Sequence, residues 1–282
     1  MNGTGLPRIA VISMVRNGGF FASRWIKYYG LQLGTSNLFL IIDGHDQPLP
    51  EGSEHINLIR LPRREQSRSG GDRSRARLIS HLARSLFHRY DIVIAHDIDE
   101  FLVIDPVKKQ SFQEYFNRHI RTASLSALGL DVGQHLKEEK PLDLSKPFLE
   151  QRRYAHVSAR YTKAVVATRP LTWGSGFHRV KGKNFHIDPY LYLFHFGMVD
   201  YHSSVEKLND ESLLKVGWQG HLDRRFELFD LIQQANAIKG DEFFAKARRR
   251  QSLFRPLYAL NKPGMLREKP IVIIPERFRE VI

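Results

Sequence analysis

Short apolar runs alternate with amphipathic stretches through the first hundred residues of the chain. Residues 9–15, 37–43 and 55–61 form brief, mostly apolar runs of the kind that become buried strands. Residues 20–34 and 74–88 instead repeat their apolar side chains at helical spacing. Strands that alternate with helices predict right-handed crossovers and the α/β class, with a mixed, mostly parallel sheet flanked by helices.

The remainder of the chain carries shorter patterns. They predict a short helix at 110–120, a polar loop at 131–148, and strands at 124–130, 161–168 and 190–196. From residue 203 to 255 the pattern is helical, with a basic segment at its end. Residues 203–282 are therefore expected to be a mainly helical extension packed on an α/β domain of residues 1–202.

In the segment YDIVIAHDIDEFLVIDP, residues 90 to 106, three of the four residues 97–100 are acids, and they lie between two apolar runs. Burying a carboxylate is costly unless it is paired or bound to a metal. Asp97 and Asp99 lie two residues apart, so they share one face of an extended segment. Carboxylates of this kind suit Mg²⁺ or Mn²⁺ that also contacts substrate phosphates. We therefore expect a divalent cation at Asp97 and Asp99, the alternative being a strand that ends in an acidic turn.

Polar residues follow other predicted strands at the same end. Arg16 and Asn17 follow the first strand and Asp43 ends the second, and ligands of parallel sheets collect beyond these carboxyl ends. Asp43 is expected either to accept hydrogen bonds from a base or ribose or to cap a turn. Arg73 and Arg77, one helical turn apart, are expected to meet phosphate at a helix N-terminus or to form a solvated basic face.

Histidines, a tryptophan and carboxylates in the second half complete the candidate site. His195 lies near the end of the strand predicted at 190–196, and its imidazole suits Mn²⁺ or Mg²⁺ unless it is satisfied in the core. Trp173 and His178 belong to a glycine-containing loop, LTWGSGFHRV, that is expected to approach the acceptor substrate. A carboxylate within hydrogen-bond reach must act as general base for an acceptor hydroxyl. The candidates are Glu100, Asp188 and Asp200, the alternative for Glu100 being a structural acid that anchors the metal loop.

The formal charge of +13 and the pI near 9.9 favour polyanionic partners, namely nucleotides, nucleic acid or anionic lipid. No zinc-finger or aromatic RNA-binding pattern is present, so nucleic acid is not expected. The chain contains no cysteine, no secretory signal pattern and no apolar window of about 18 residues. A cytoplasmic protein is expected. Its basic segment 246–255 is either solvated or in peripheral contact with an anionic membrane at the inner face of the plasma membrane.

Two segments resemble bacterial family-2-like glycosyltransferases, in particular a subgroup related to glycosyltransferase family 92. The first is MVRNGGFFASRWIKYYGLQLGTSNLFLIIDG, with its Val-Arg-Asn, tryptophan and tyrosine pair, and the second is YDIVIAHDIDEFLVIDP with its Asp-x-Asp-Glu-Phe core. The later WGSGFH and LFHF segments are similar to the same subgroup, and the resemblance covers residues 8 to 202. Two departures are the glycines at 18 and 19, where an acid is usual, and the shortened ending Asp43-Gly44-His45-Asp46 of the second strand.

The resemblance implies a GT-A (Rossmann-like) fold, a nucleotide-sugar donor and a requirement for Mn²⁺ or Mg²⁺. It implies a nucleotide-sugar half at about 1–106 and an acceptor half at about 107–202. Asp97 and Asp99 match the metal-binding acid pair, and His195 is similar to the histidine that completes the metal shell. Arg16, Asn17 and Asp43 fall where the nucleotide is held. The implied reaction is sugar transfer to a surface-polysaccharide or lipid-linked glycan acceptor in cell-envelope polysaccharide synthesis, with inversion and a carboxylate base, for which Asp200 is our choice.

Two other functions use the same features. A nucleotidyl- or phosphotransferase would employ the same acid pair but needs a second metal site or a Walker-type glycine loop, which the sequence lacks. A non-catalytic basic nucleic-acid-binding protein would bind with a strong salt dependence that substitution of Asp99 leaves unchanged.

Overall fold

The computed structural model of the protein describes residues 5–64, 66–182, 185–209, 219–255, 257 and 260–282. Within these residues eleven strands are connected in one sheet. The strands are β1 Ile9–Val15, β2 Leu38–Asp43, β3 Asn57–Leu61, β4 Ile92–Ala95, β5 Glu100–Ile104, β6 Ser124–Gly133, β7 Tyr154–Val157, β8 Val166–Ala167, β9 Ile187–Met198, β10 Ile238–Lys239 and β11 Ile271–Ile273. The α-helices of the described residues are α1 Gly19–Leu33, α2 Arg68–Leu86, α3 Phe112–Phe116, α4 Phe148–Gln151, α5 Tyr201–Leu208, α6 Gln219–Gln234 and α7 Gly240–Leu253.

Four parallel strands form the N-terminal part of the sheet, in the order β3-β2-β1-β4. Helices cover both faces of these strands. Alternate residues of β1 accordingly pack into two different cores. Ile9 and Val11 pack in the cluster that contains Trp25 of α1. Ala10 and Ile12 pack in the cluster that contains Ile79 of α2. Strands buried on both faces have nearly continuous apolar sequences. The hydrophobic pattern therefore predicted the strands of this region, and the predicted α/β class is confirmed.

The second half of the sheet is mixed. β8 runs antiparallel to β4, β6 runs antiparallel to β8, and β9 runs parallel to β6. β5 pairs antiparallel with β9 so that Glu100 is opposite His195. On the other neighbour of β9, Asp131 of β6 is also opposite His195. This register brings the acidic segment after β4 beside the end of β9.

Several boundaries differ from the sequence expectations. Helix α2 begins at Arg68 rather than 74, because the Ser67 side chain accepts a hydrogen bond from the Gly70 N–H and caps it. The strand expected over 161–168 is reduced to β8, since the backbone of Tyr161 and Thr162 instead packs against Gly129. β7 was not predicted at all.

The region after residue 202 contributes more than helices. Its strand β11 pairs antiparallel with β7, and β10 pairs parallel with β11 at the edge of the sheet. Phe243, Phe244 and Phe278 are buried in the larger core. None of the described helices is both long enough and apolar enough to cross a bilayer. The division at residue 202 stays a prediction.

Candidate functional site

A cavity of about 1680 Å³ opens at the carboxyl ends of the parallel strands. Its lining includes the segment after β1, the end of β2 and the loop after β4. The first turns of α2, the end of β9 and a side chain of α6 also line it. It is the position at which open α/β sheets bind ligands. The predicted site residues that line it are Arg16, Asn17, Asp43, Asp97, Asp99, His178, His195 and Asp200.

Asp97 is the acidic partner of two cations. Its Oδ2 accepts a hydrogen bond from Lys163 Nζ at 2.8 Å, and its Oδ1 lies 2.9 Å from Arg75 of α2. Burial opposes ionisation of Asp97, but Arg75 and Lys163 outweigh it and hold the pKa of this carboxyl below its ordinary value. Asp97 is therefore a carboxylate whose charge the protein itself neutralises.

Glu100 lies beneath this pair, completely buried, and outside the cavity lining. Its Oε1 is 2.5 Å from the same Lys163 Nζ, which is only 2 % exposed. Burial raises the pKa of Glu100 to about 7, against the lowering influence of Lys163. For Lys163, burial opposes the charge, whereas Asp97 and Glu100 raise its pKa. The predicted base Glu100 is thus placed as a structural acid that anchors Lys163.

His195 is held on both ring nitrogens. Nδ1 is 2.6 Å from Oδ1 of Asp131, and Nε2 meets the guanidinium of Arg225 from α6 and lies 3.3 Å from Oδ2 of Asp99. The ring of Tyr161 stacks on the imidazole at 3.8 Å between centroids. Burial lowers the pKa of His195, but Asp99 and Asp131 outweigh it and raise that pKa. A carboxylate on Nδ1 fixes the ring so that Nε2 faces Asp99.

The predicted metal set is brought together only in part. Among the described residues, no group of three or more histidine, aspartate or glutamate side chains is arranged to hold a metal ion. Asp99 and His195 Nε2 converge on one point, and Arg225, 3.6 Å from Asp99, already supplies a cation there. A divalent cation at these two donors would need further ligands, such as substrate phosphates, to complete its shell. Asp97 would first have to leave Lys163 and Arg75.

The first loop is organised around Arg16. Its guanidinium donates to both carboxylate oxygens of Asp46 at 2.5 and 2.7 Å and to the Asp43 carbonyl at 3.0 Å. Gly44 has a φ of +112°, and a β-carbon there would overlap the Arg16 guanidinium. The Asn17 N–H donates to Gln47 at 2.7 Å. Arg16 therefore shapes the loop after β2, and Asp46 and Gln47 are contributors that the sequence did not single out.

Three predicted contacts lie elsewhere. Arg73 and Arg77 have exposed side chains outside the cavity lining, whereas Arg75 lines it. Residues two apart on a helix point about 200° apart, so the expected face was the opposite one. Trp173 is buried, and its indole N–H donates to the Ala164 carbonyl at 2.7 Å, which makes it a core residue and corrects the expectation of substrate contact.

The remaining candidates differ in availability. Asp188 is buried and accepts hydrogen bonds from Tyr115 and Arg118, away from the cavity lining. Asp200 lines the cavity, yet Oδ1 accepts from the Leu142 N–H and Oδ2 from Ser203. Burial opposes its charge, but these hydrogen bonds lower the pKa of Asp200. For His178, burial is the main cause of a pKa lowered to about 3, so its imidazole is neutral.

Five contributors besides Asp46 and Gln47 were missed from sequence. Arg75 sits between the two arginines that were chosen, and Lys163 is the lone charge in the run YTKAVVAT. Asp131, Tyr161 and Arg225 reach the site through strand register and helix packing, for which no local pattern exists.

No protein-family model matches the chain. No characterised protein sequence matches it either. Among solved structures, the crystal structure of mannose-1-phosphate geranyltransferase from Thermus thermophilus aligns with 94 % of this chain and 73 % of that one. The sequence identity is 10 % and the TM-score 0.30, a similarity too low to inform activity.

Proposed function

We propose that the chain is a metal-dependent glycosyltransferase that moves a sugar from a nucleotide-sugar donor to a surface-polysaccharide or lipid-linked glycan acceptor, with inversion. The observation that carries the proposal is the meeting of Arg16, Asp43, Asp97, Asp99 and His195 in one cavity of about 1680 Å³. A cavity at this edge of an α/β sheet, with room for a drug-sized ligand, suits a nucleotide sugar. The glycosyltransferase resemblance of residues 8–202 supports the same activity.

Three cations of the cavity, each now paired with an acid of the site, are proposed to contact the donor diphosphate. Arg75, Lys163 and Arg225 line the cavity beside the acid loop. Fixed cations aimed at developing negative charge are the largest source of transition-state stabilisation in many transferases. Bound at Asp99 and His195, Mn²⁺ or Mg²⁺ would supply Lewis-acid help to the departing diphosphate. The loop built by Arg16 and Asp43 is proposed to hold the nucleoside end of the donor.

Asp200 is the proposed general base. Its lowered pKa keeps it ionised at neutral pH, which is necessary for a base but reduces its basicity. Its Oδ2 accepts from the Ser203 hydroxyl at 3.1 Å. Exchange of that hydroxyl for an acceptor hydroxyl would present the carboxylate to the acceptor.

The proposal is tested by a nucleotide-sugar panel with Mn²⁺, read out as thermal shift and as released nucleotide. Arg75→Ala should weaken donor binding about 10- to 100-fold, since a lost hydrogen bond to a charged group is worth about 1.5–3 kcal/mol. Arg73→Ala, two residues away and exposed, is the matched control and should bind normally. A donor bound equally by both variants, or no donor bound by wild type, contradicts the proposal. Release of sugar 1-phosphate instead of nucleoside diphosphate would favour nucleotidyl transfer.

The metal is tested separately by calorimetry with Mn²⁺ in the absence of donor. Arg225→Ala removes the resident cation from Asp99 and His195, so Mn²⁺ should bind it more tightly than wild type. Asp99→Asn should abolish that gain. If neither variant differs from wild type in Mn²⁺ affinity, the metal is not held at Asp99 and His195.

A further inference from the structure

A solvent-exposed apolar loop lies between α7 and β11. Leu253, Phe254, Leu257 and Met265 are 64, 70, 90 and 77 % exposed, and Leu260 is 48 % exposed. Among the described residues, one third of the large exposed apolar side chains, five of fifteen, fall within these 13 positions. Exposed apolar residues scattered singly need no explanation, whereas a concentrated patch marks an interaction surface.

The base of this loop is closed by hydrogen bonds. The Gly264 N–H donates to the Gln251 carbonyl at 2.7 Å. Inside it, Arg255 donates to the Ser252 carbonyl at 2.8 Å and to the Leu260 carbonyl, and Asn261 donates to the Val180 carbonyl at 3.1 Å. The apolar side chains are therefore carried on an anchored segment.

Basic residues flank the loop along the chain. Residues 246 to 267 contain seven lysines and arginines and no aspartate or glutamate. Lys246, Arg249, Arg250 and Arg267 are exposed. The acids of α7, Asp241 and Glu242, lie in its first turn, at the opposite end of the helix from the loop. The exposed acid next along the chain is Glu268, so the apolar residues have a predominantly basic collar.

We propose that the exposed apolar residues Leu253, Phe254, Leu257, Leu260 and Met265 and their basic collar form a docking surface for an anionic lipid bilayer. Apolar side chains that enter the acyl boundary and cations that meet anionic headgroups are the two signals that stable peripheral attachment requires. A nucleic acid offers phosphates to the collar but nothing to Leu257 or Met265. The attachment does not depend on the proposed transferase activity.

The test is co-sedimentation of the full chain with phosphatidylcholine vesicles prepared with and without phosphatidylglycerol. Binding should require phosphatidylglycerol and weaken as salt rises. Arg249→Gln with Arg250→Gln should reduce partitioning about 30-fold, at roughly 1 kcal/mol per basic residue near the surface. Arg73→Gln with Arg77→Gln removes the same charge from an exposed face of α2 and should have little effect.

The apolar contribution is tested by the double substitution Phe254→Ser with Leu257→Ser. It should lower partitioning into the vesicles by about tenfold or more, because several CH₂ groups are then no longer buried in the bilayer. Leu31→Ser, at an 81 % exposed site on α1, is the control. Since all of these side chains are exposed, circular dichroism should show folded variants. Three results would overturn the proposal: no binding to anionic vesicles at low salt, equal binding by the serine variant, or a wild-type dimer that the serine variant dissociates.

Discussion

Lys163 is the residue on which the acid cluster depends. It is 2 % exposed and pairs with both Asp97 and Glu100. Removing one partner of a buried ion pair leaves the other charge uncompensated, at a cost of about 3–5 kcal/mol. Lys163→Met should therefore lower the free energy of unfolding by that amount in urea denaturation.

Two controls accompany this substitution. Lys181→Met changes an exposed lysine and should stay within about 0.5 kcal/mol of wild type. Adding Glu100→Gln to Lys163→Met should restore part of the loss, because one buried charge is then absent. Equal losses for Lys163→Met and Lys181→Met would show that the ion pairs do not stabilise the fold.

His96 gives the fold a pH dependence. It is fully buried, its Nδ1 bonds to the Asp97 carbonyl at 2.9 Å and its Nε2 to the Tyr29 hydroxyl at 2.8 Å. Because Tyr29 accepts from the Leu102 N–H, its own proton is available to His96. Burial lowers the pKa of His96 from 6.5 to about 4. The unfolded chain therefore binds the proton first as the pH falls.

The contribution of His96 to the free energy of unfolding is fully present above about pH 6.5. As the pH falls towards 4 this contribution, on the order of 3 kcal/mol, is lost. His96→Gln cannot titrate in this range. Its free energy of unfolding, measured between pH 7 and 4.5, should consequently fall less steeply than that of wild type. Parallel curves for the two proteins would contradict this role of His96.

At the scale of elements, the sequence predicted strands more reliably than the face of α2 that lines the cavity. The apolar runs of β1, β2 and β4 identify themselves because both faces of the sheet are covered. Which arginine of α2 faces the cavity depends on where that helix starts, and Ser67 sets the start. A four-residue strand such as β7 is too short to show a period.

The same limit applies to the site. The acid pair could be found because three carboxylates interrupt an apolar run. The cations that neutralise this pair could not be found in the same way, because each is distant in sequence. Lys163 and Arg75 lie 66 and 22 residues from Asp97, and Arg225 lies 126 residues from Asp99. Such contacts are fixed by strand register and helix packing, which local patterns do not encode.

Gly129 of β6 positions the segment that carries Tyr161 and Lys163. A β-carbon there would overlap the backbone of Tyr161 and Thr162. Gly129→Ala should therefore cost about 3 kcal/mol or more through overpacking. Gly71→Ala in α2, where nothing lies within 4 Å, should instead stabilise by about 0.5–1 kcal/mol. Urea denaturation of both variants gives the comparison. A Gly129→Ala variant with the stability of wild type would show that the backbone of Tyr161 and Thr162 does not pack closely against residue 129.

At the scale of the whole molecule, the region after residue 202 is joined to the sheet and to the cavity. β11 covers the edge of β7, and Leu228, Phe229 and Ile232 of α6 pack with Tyr154 and Met198. Arg225 on the same helix reaches Asp99. The expected division into a domain of residues 1–202 and a mainly helical extension packed on it is thereby open to a direct test.

A fragment of residues 1–202 should not fold to a soluble, cooperative unit. It would expose the β7 edge and a core face, and each large apolar side chain left without cover forfeits about 1.5–3 kcal/mol. The measurements are soluble yield, thermal melting and binding of a hydrophobic dye, compared with the full chain. Restoring residues 203–282 as a separate polypeptide would be expected to recover solubility. A fragment that melts cooperatively near the temperature of the full chain would instead establish residues 1–202 as an independent domain.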